Sequence, residues 1–268
     1  MKVFSCCLVL FLQAIFLSAS AQQDSVIVQT DSMLVAADSF AIQKEQVPTI
    51  VLDNNLPITE ENIVVYQENN PIKSSGFVVP IAMMIQGVWI KGNSGLYSSV
   101  KVREDMHHYF PNFYTPIDNY IQYVPSIAAY ATGCFSGTTP RHANGRRLWM
   151  LIQSQAIMSL GTLALKHYTH ELRPDGSEYN SFPSGHTAQA FMGAAFFDME
   201  YPKQMRGLKI GLYALAGLTG ALALMNDRHW ASDAVFGAGL GMLSVRAVFW
   251  SEQYFNRKKA IPKKIKSF

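Results

Sequence analysis

Long apolar stretches separated by short polar segments dominate the chain from Phe77 onward. Six of these stretches are long enough to form helices, and several are apolar around most of the helix circumference, as the central helices of a bundle are. The predicted helices are Phe77–Ile90, Ile121–Thr132, Leu148–His167, Thr187–Tyr201, Leu208–Met225 and Asp233–Tyr254. The pattern predicts an all-α protein built as a helical bundle.

Polar residues interrupt the longest of these stretches. None of them is an uncharged apolar run of about 18 residues or more, the length that indicates a transmembrane helix. The interruptions in the better candidates are Gln153, Gln155, Lys209 and Arg246. A soluble or membrane-apposed bundle is therefore the first interpretation, with membrane-embedded helices as the alternative.

The first 21 residues have the pattern of a secretory signal peptide. Lys2 precedes an apolar run from Val3 to Leu17, and the small residues Ala19, Ser20 and Ala21 then form a cleavage pattern. The sequence predicts export to the periplasm or cell envelope, with an uncleaved anchor helix as the alternative. Cleavage leaves Cys134 as the single cysteine, so the mature chain has no internal disulfide.

Residues 22–75 differ in charge from the rest of the chain. They carry eight acidic residues against two lysines, whereas the whole chain has a net charge of +3. This composition predicts an irregular acidic arm or linker, in which Val26–Val28 and Ile63–Tyr66 are candidate strands. Residues 76–268 are the basic, helical and functional domain.

Unusual polar residues of this domain concentrate in three segments. The first contains Lys166 and Arg173, followed by Pro174. On one continuous helix the two cations would share a face two turns apart, and Pro174 would end that helix. The segment predicts either two cations that converge on an anion or a solvated basic helix end.

The second segment, Ser181–Thr187, begins an apolar helix. Ser184 is a candidate N-cap, and Gly185 allows a backbone N–H to approach a ligand closely. A helix N-terminus is a ready site for an anion, and His186 is placed to protonate an atom bound there. The alternative is an ordinary capped helix start with a surface histidine.

The third segment, Asn226–Asp233, contains His229 and Asp233 four residues apart. If the segment is helical, the carboxylate can hold the imidazole. An imidazole oriented in this way is a competent nucleophile or base. The alternative is a structural histidine at a helix start with Asp233 as its cap.

The three segments together carry a family resemblance. Lys-x6-Arg-Pro, Pro-Ser-Gly-His and His-x3-Asp, in this order and at these separations, resemble the type 2 phosphatidic acid phosphatase family. That family shares a superfamily with bacterial class A acid phosphatases and vanadium haloperoxidases. The resemblance extends over roughly residues 115–250, and Tyr120–Pro125 looks like the bacterial branch.

This resemblance implies a fold and a reaction. The fold is a helical bundle of the acid phosphatase/haloperoxidase type in which the three segments meet at one pocket. His229 would attack phosphorus, Asp233 would orient its ring and His186 would protonate the leaving alcohol. The phosphoryl oxygens would be held by Lys166, Arg173, Ser184 and Gly185. Fixed cations can stabilise such a transition state, and we expect neither a metal nor another cofactor.

The substrate that the resemblance implies is a phosphomonoester or a lipid phosphate or pyrophosphate, hydrolysed outside the cytoplasm. A membrane surface is a candidate partner, and a nucleic acid is not expected. The alternatives are a weakened relative that binds phosphate or phospholipid without efficient turnover, and a vanadate-dependent haloperoxidase.

One position departs from the family pattern. The family usually has an arginine six residues before the nucleophilic histidine, where this chain has Ala223. On a helix Arg228 would point about 100° away from His229, so it is no simple replacement. The remaining candidates for a compensating cation are Arg141, Arg146 and Arg147. Loss of one such donor typically lowers the rate by about 10²–10³.

Overall fold

The computed structural model describes residues 49–50, 65–66, 74–91, 98–136, 138–201 and 205–260. The predicted signal peptide and most of the acidic arm lie outside these residues. The chain forms two compact units, one of which is Gln23–Pro71. In that unit β1 (Thr49–Ile50) pairs antiparallel with β2 (Val65–Tyr66), so part of the candidate strand Ile63–Tyr66 is a strand.

From Ser74 onward the regular structure of the described residues is helical, which confirms the all-α prediction. A 3₁₀ turn, Ser74–Phe77, leads into the first α-helix. The α-helices are α1 (Val78–Lys91), α2 (Ser99–Tyr109), α3 (Asp118–Ile121), α4 (Val124–Phe135), α5 (Asn144–Thr169), α6 (Gly185–Glu200), α7 (Arg206–Met225) and α8 (Ala231–Ala260).

All six predicted helices are present, and most of their ends lie within a few residues of the predicted ones. The apolar pattern does not predict α2 and α3. Helix α2 is mostly polar and buries only Ser99, Val102 and Met106, while Ser98 caps it by accepting a hydrogen bond from Lys101 N at 3.3 Å. Helix α3 is a single turn. Neither has the apolar face on which the prediction rests.

Helix α6 lies at the centre of the bundle. It contacts α4, α5, α7 and α8, and most of its residues are buried. Phe191, Phe196 and Phe197 on this helix are at most 1% exposed. A helix that is buried around its circumference explains why its sequence is apolar on every face.

Two glycines of α8 set the distance between α8 and α6. A Cβ on Gly237 would lie 2.5 Å from the carbonyl oxygen of Ser184, and one on Gly241 would lie 2.2 Å from that of Ala188. Both contacts are with backbone, so a side chain at either position would push the helices apart. The start of α6 is therefore held directly against α8.

Of the described helices, three are long and apolar enough to cross a membrane: α5, α7 and the Ala231–Asn256 part of α8. The requirement for a wholly uncharged run was therefore too strict, because each helix accommodates its few charged residues near an end or against the bundle. This finding favours the alternative of membrane-embedded helices over the first interpretation, a soluble or membrane-apposed bundle.

The outward face of α5 has the character of a lipid-facing surface. Its large exposed side chains are apolar, and Ile152, Leu160 and Leu163 are about half exposed or more. Exposed Trp149 and Tyr168 lie at its two ends, about 28 Å apart along the helix axis. The hydrocarbon core of a bilayer is about 30 Å thick, and Trp and Tyr are enriched at its two interfaces.

Candidate active site

Lys166 lies in the last turn of α5 and links the first segment to the second. Helix α5 ends at Thr169, where His170 has a left-handed backbone with φ of 43°. The Lys166 ammonium donates a hydrogen bond to the carbonyl oxygen of Asn180. This contact places the cation beside the loop that leads into α6.

Arg173 lies in the loop after α5, so the expectation of one helical face shared with Lys166 is wrong. The left-handed His170 ends the helix before Pro174 can do so. Arg173 N donates to Glu178 O at 2.9 Å, and its guanidinium pairs with the Glu178 carboxylate at 3.2 Å. Its Nε is buried without a hydrogen-bond partner among the described residues. A loop therefore presents Arg173.

Ser184 is the N-cap of α6, as predicted. Its hydroxyl accepts a hydrogen bond from Thr187 N at 3.5 Å and lies 3.0 Å from the Thr187 hydroxyl. The Ser184 side chain is fully buried, so its hydroxyl is already engaged in the cap. A Cβ on Gly185 would have only an ordinary contact, 3.8 Å from Thr162 Cγ2. Packing within the chain therefore does not require glycine at position 185.

His229 lies two residues before α8 begins, and Asp233 lies in the first turn of that helix. His229 Nδ1 and Asp233 Oδ2 are 3.6 Å apart, longer than a hydrogen bond. His229 is 4% exposed and Asp233 is fully buried. The imidazole and the carboxylate therefore face each other in a space closed to bulk water, with Nδ1 as the ring atom towards Asp233.

Hydrogen bonds fix the position of Asp233. Its Oδ2 accepts from the Ser181 hydroxyl and from Trp230 N at 2.9 Å. Its backbone carbonyl accepts from Ser184 N at 3.0 Å. These bonds join the second and third segments, so the start of α6 and the start of α8 form one rigid unit.

The surroundings of both histidines lower their pKa in the substrate-free protein. Burial, supported by the charges of Lys166 and Arg173, lowers the pKa of His229, although Asp233 opposes the shift. Burial lowers the pKa of His186 to about 4, and Asp118 opposes this shift while His229, Arg228 and Lys166 support it. A neutral imidazole is the form that can act as a nucleophile.

These interactions place all three segments at one end of the bundle, which we call the histidine end. It consists of the C-terminal ends of α5 and α7 and the N-terminal ends of α6 and α8. Within the described ranges, no group of three or more His, Cys, Asp or Glu side chains is arranged to hold a metal ion.

The model of the PAP2 superfamily matches residues 147–257, a range that contains all three segments. Over this range the chain is similar to the PAP2 superfamily, and we call these residues the PAP2 domain. The chain is also 37% identical over 139 residues to the lipid A 1-phosphatase of Porphyromonas gingivalis. That match covers 52% of this chain and 31% of the relative, so the chain spans about a third of the length of this curated relative.

Two solved structures resemble the PAP2 domain. The crystal structure of Aquifex aeolicus LpxE matches with a TM-score of 0.42 and 19% identity, over 55% of this chain and 93% of that one. The crystal structure of a transmembrane PAP2 type phosphatidylglycerolphosphate phosphatase from Bacillus subtilis matches with a TM-score of 0.44 and 20% identity. This match covers 69% of this chain and 98% of that one.

The three candidate arginines for a compensating cation are remote from the histidines of the PAP2 domain. Arg147 is fully buried near the start of α5 and donates to Tyr130 O at 3.0 Å. Arg146 pairs with Glu252, and Arg141 N donates to Glu200 O at 2.9 Å. Arg147 and Lys166 are about 28 Å apart along α5. None of the three can therefore contact an anion at the histidine end.

Sequence reasoning missed the residues that support the third segment from outside the PAP2 match. Asp118 is fully buried and lies 3.1 Å from Arg228 Nη1 and 3.2 Å from Asn226 Nδ2. Asp227 lies 3.0 Å from Arg103 Nε and also contacts His107. Asp118 comes just before the stretch Tyr120–Pro125 that resembles the bacterial branch, which is the one signal that pointed to this region.

A cavity of about 440 Å³ lies between α4 and α5 and reaches Gln189 of α6. Most of its wall is apolar, and its polar lining is satisfied internally, since Gln155 donates to Gln189 at 2.6 Å. Gln189 follows His186 by three residues, a rise of about 4.5 Å along α6. The lining residues are Tyr123, Ser126, Ile127, Leu151, Ile152, Gln155, Ala156, Ser159 and Gln189.

Proposed function

We propose that the protein is a phosphatase that hydrolyses a lipid phosphate or pyrophosphate outside the cytoplasm through a phosphohistidine on His229. The observation that carries the proposal is the pairing of a buried, neutral His229 with Asp233 at 3.6 Å. His186 and Lys166 lie close enough for their charges to act on the same site.

In the first step His229 acts as the nucleophile. Because Nδ1 is the ring atom towards Asp233, the lone pair of Nε2 attacks phosphorus. The bond from phosphorus to the leaving oxygen breaks as the new P–N bond forms. Asp233 stabilises the positive charge that develops on the ring, in the manner of a buried carboxylate paired with a catalytic histidine. The negative charge of the bound phosphate favours the protonated form of His186, which gives its proton to the leaving oxygen.

In the second step water attacks the phosphohistidine. His186, now neutral, takes a proton from the water as its oxygen bonds to phosphorus, and the P–N bond returns its electron pair to Nε2 of His229. Lys166, Arg173 and the N–H of Gly185 stabilise the negative charge on the phosphoryl oxygens in both steps. Ser184 contributes by capping α6, which fixes these N–H groups.

A lipid substrate is supported by three observations. One relative with 37% identity is a lipid A 1-phosphatase. Three helices of this chain are suited to a membrane. The cavity between α4 and α5 reaches Gln189, about one helical turn from His186, and has mostly apolar walls, which fit a hydrocarbon chain. The predicted signal peptide supports the location outside the cytoplasm.

The test is turnover followed by capture of the intermediate. The protein, purified in detergent, is incubated with a lipid phosphate and with a soluble aryl phosphate, each with and without EDTA. We expect turnover that survives EDTA, inhibition by vanadate, and a phosphate adduct found by mass spectrometry on His229. Vanadate bound to a histidine nitrogen imitates the transition state.

Two results would contradict this proposal. Activity lost in EDTA and restored by a divalent ion would rule out the histidine mechanism. A phosphate adduct that persists after His229→Gln would place the nucleophile elsewhere. Binding of phospholipid or phosphate without turnover would favour the weakened, binding-only relative.

A further inference from the structure

The chain reverses direction between α7 and α8, and this turn places the backbone of Arg228 beside the backbone of Ala223. Helix α7 ends at Met225, and Asp227 has a left-handed backbone with φ of 54°. As a result, Arg228 N donates a hydrogen bond to the carbonyl oxygen of Ala223 at 3.1 Å. Because residue 228 is not helical, the 100° offset expected for a helix does not apply.

The Arg228 guanidinium is anchored through one nitrogen. Its Nη1 donates to Asp118 Oδ2 at 3.1 Å and to Asn119 Oδ1 at 2.9 Å. Among the residues that the structure describes, Nε and Nη2 have no hydrogen-bond partner. The side chain is 20% exposed, so these donors are accessible. A planar guanidinium held at one nitrogen is oriented for a second contact at its other donors.

Arg228 directly precedes His229 and follows the C-terminal end of α7, so it belongs to the histidine end. Its charge acts on His186, as do the charges of Lys166 and His229. Ala223 itself is fully buried, and its methyl group offers no donor. The backbone of position 223 is adjacent to that of Arg228.

We propose that Arg228 is a ligand of the phosphoryl group and supplies the cationic contact that Ala223 cannot. This inference rests on the proposed phosphatase function. Asp118 and Asn119 are positioning residues that hold the guanidinium. Arginine suits this place because its rigid fork can bond the Asp118–Asn119 pair along one side and phosphate oxygens along the other.

The test compares Arg228→Ala and Arg228→Lys with the unchanged protein in detergent, using kcat on a phosphate ester and the Kd for orthovanadate. We expect Arg228→Ala to lower kcat by about 10²–10³, the range for one such donor, and to weaken vanadate binding. Arg228→Lys keeps the charge but loses the planar guanidinium. Its kcat and vanadate affinity should therefore lie between those of Arg228→Ala and the unchanged protein. Arg146→Ala is the matched control, because Arg146 pairs with Glu252 at the other end of α5.

A rescue experiment separates contact with phosphate from a purely structural role. In the Arg228→Ala background, Ala223→Arg should restore kcat and vanadate affinity by about tenfold or more, because it returns one donor of that class to the same space. In the unchanged protein, Ala223→Arg should give no gain. Asp118→Asn should weaken vanadate binding in the unchanged protein and add little to Arg228→Ala, as expected for residues that act together.

Two outcomes would overturn the inference. One is an unchanged vanadate Kd and kcat in folded Arg228→Ala or, if that variant does not fold, in Arg228→Lys. The other is a gain of tenfold or more from Ala223→Arg in the unchanged protein, which would mean that the space is vacant. A protein that binds vanadate but turns over no phosphate ester would contradict the proposed function, while the vanadate measurements would still decide the role of Arg228.

Discussion

Oδ2 of Asp233 lies 3.6 Å from Nδ1 of His229 while it accepts hydrogen bonds from Ser181 and Trp230. One carboxylate oxygen thus faces the imidazole and anchors two other parts of the site. The negative charge of Asp233 is buried and held by fixed donors, so it is in place before substrate binds. A small rotation of the ring would close the distance to a hydrogen bond.

The first prediction concerns Asp233→Asn. The amide keeps the size of the side chain but cannot stabilise positive charge on His229, so kcat should fall by about 10²–10⁴, as for a buried aspartate paired with a catalytic histidine. Steady-state kinetics on a lipid phosphate measures the change. Glu252→Gln serves as the control because Glu252 pairs with Arg146 at the opposite end. A folded Asp233→Asn protein with full activity would exclude the orienting role.

His186→Ala tests the assignment of the general acid. A leaving group such as nitrophenolate needs no proton, whereas an alkyl alcohol does, so the variant should lose much more activity on the alkyl phosphate. The measurement is the ratio of kcat values for the two substrates, with His229→Ala as the comparison because it removes the nucleophile and abolishes both. Equal losses on the two substrates in His186→Ala would contradict this division of roles.

Protonation of His229 should set the acidic limit of activity. The pKa of His229 lies below its usual 6.5 because the ring is buried. The nucleophile therefore stays neutral as the pH falls below 6.5, and kcat/KM should persist into this range. A pH profile of kcat/KM at constant ionic strength measures this limit. An acidic limb at or above 6.5 would contradict the assignment.

The same shifts predict how stability depends on pH. His186 has a folded pKa of about 4 against 6.5 when unfolded, so the unfolded chain binds more protons between these values. Stability should be complete above pH 6.5 and fall as the pH decreases towards 4. Melting temperatures across this range, compared between the unchanged protein and His186→Gln, should show a smaller decline in the variant.

Filling the cavity between α4 and α5 tests its role in binding a hydrocarbon chain. Ala156 lines the cavity, so Ala156→Trp should raise KM for a long-chain lipid phosphate and leave a soluble aryl phosphate almost unaffected. Ala164→Trp, on the exposed part of the same helix, is the matched control for an added aromatic ring. The same change in kcat/KM for both substrates would show that the cavity holds no part of the lipid.

The apolar pattern was sufficient to predict the six principal helices, because each buries or exposes a long apolar surface. It missed α2 because Val102 and Met106 alone give too little signal within a polar stretch. The pattern placed the end of α5 at His167, two residues before its observed end at Thr169. The helical face suggested for Lys166 and Arg173 required the helix to continue to Pro174. His170 ends it earlier by adopting a left-handed backbone, which the sequence does not specify.

The three segments of the site were recognisable because each contains reactive or charged residues at short spacings. Asp118 and Arg228 were harder to relate, since they are 110 residues apart and meet only through folding. The turn that joins Arg228 to Ala223 depends on the left-handed Asp227, a conformation that asparagine and aspartate tolerate but that their presence does not dictate.

The backbone contact between α6 and α8 at Gly237 and Gly241 has a consequence for how such a protein can diversify. Main-chain atoms set the spacing between the two catalytic helices, so this spacing does not depend on the size of any lipid-facing side chain. Substitutions on the outer surfaces of α5 and α7 can then adapt the protein to another membrane or another hydrocarbon tail while the reaction centre keeps its geometry. A bulky residue at either glycine would push α8 away from α6, and the spacing of the helices would then depend on the size of that side chain.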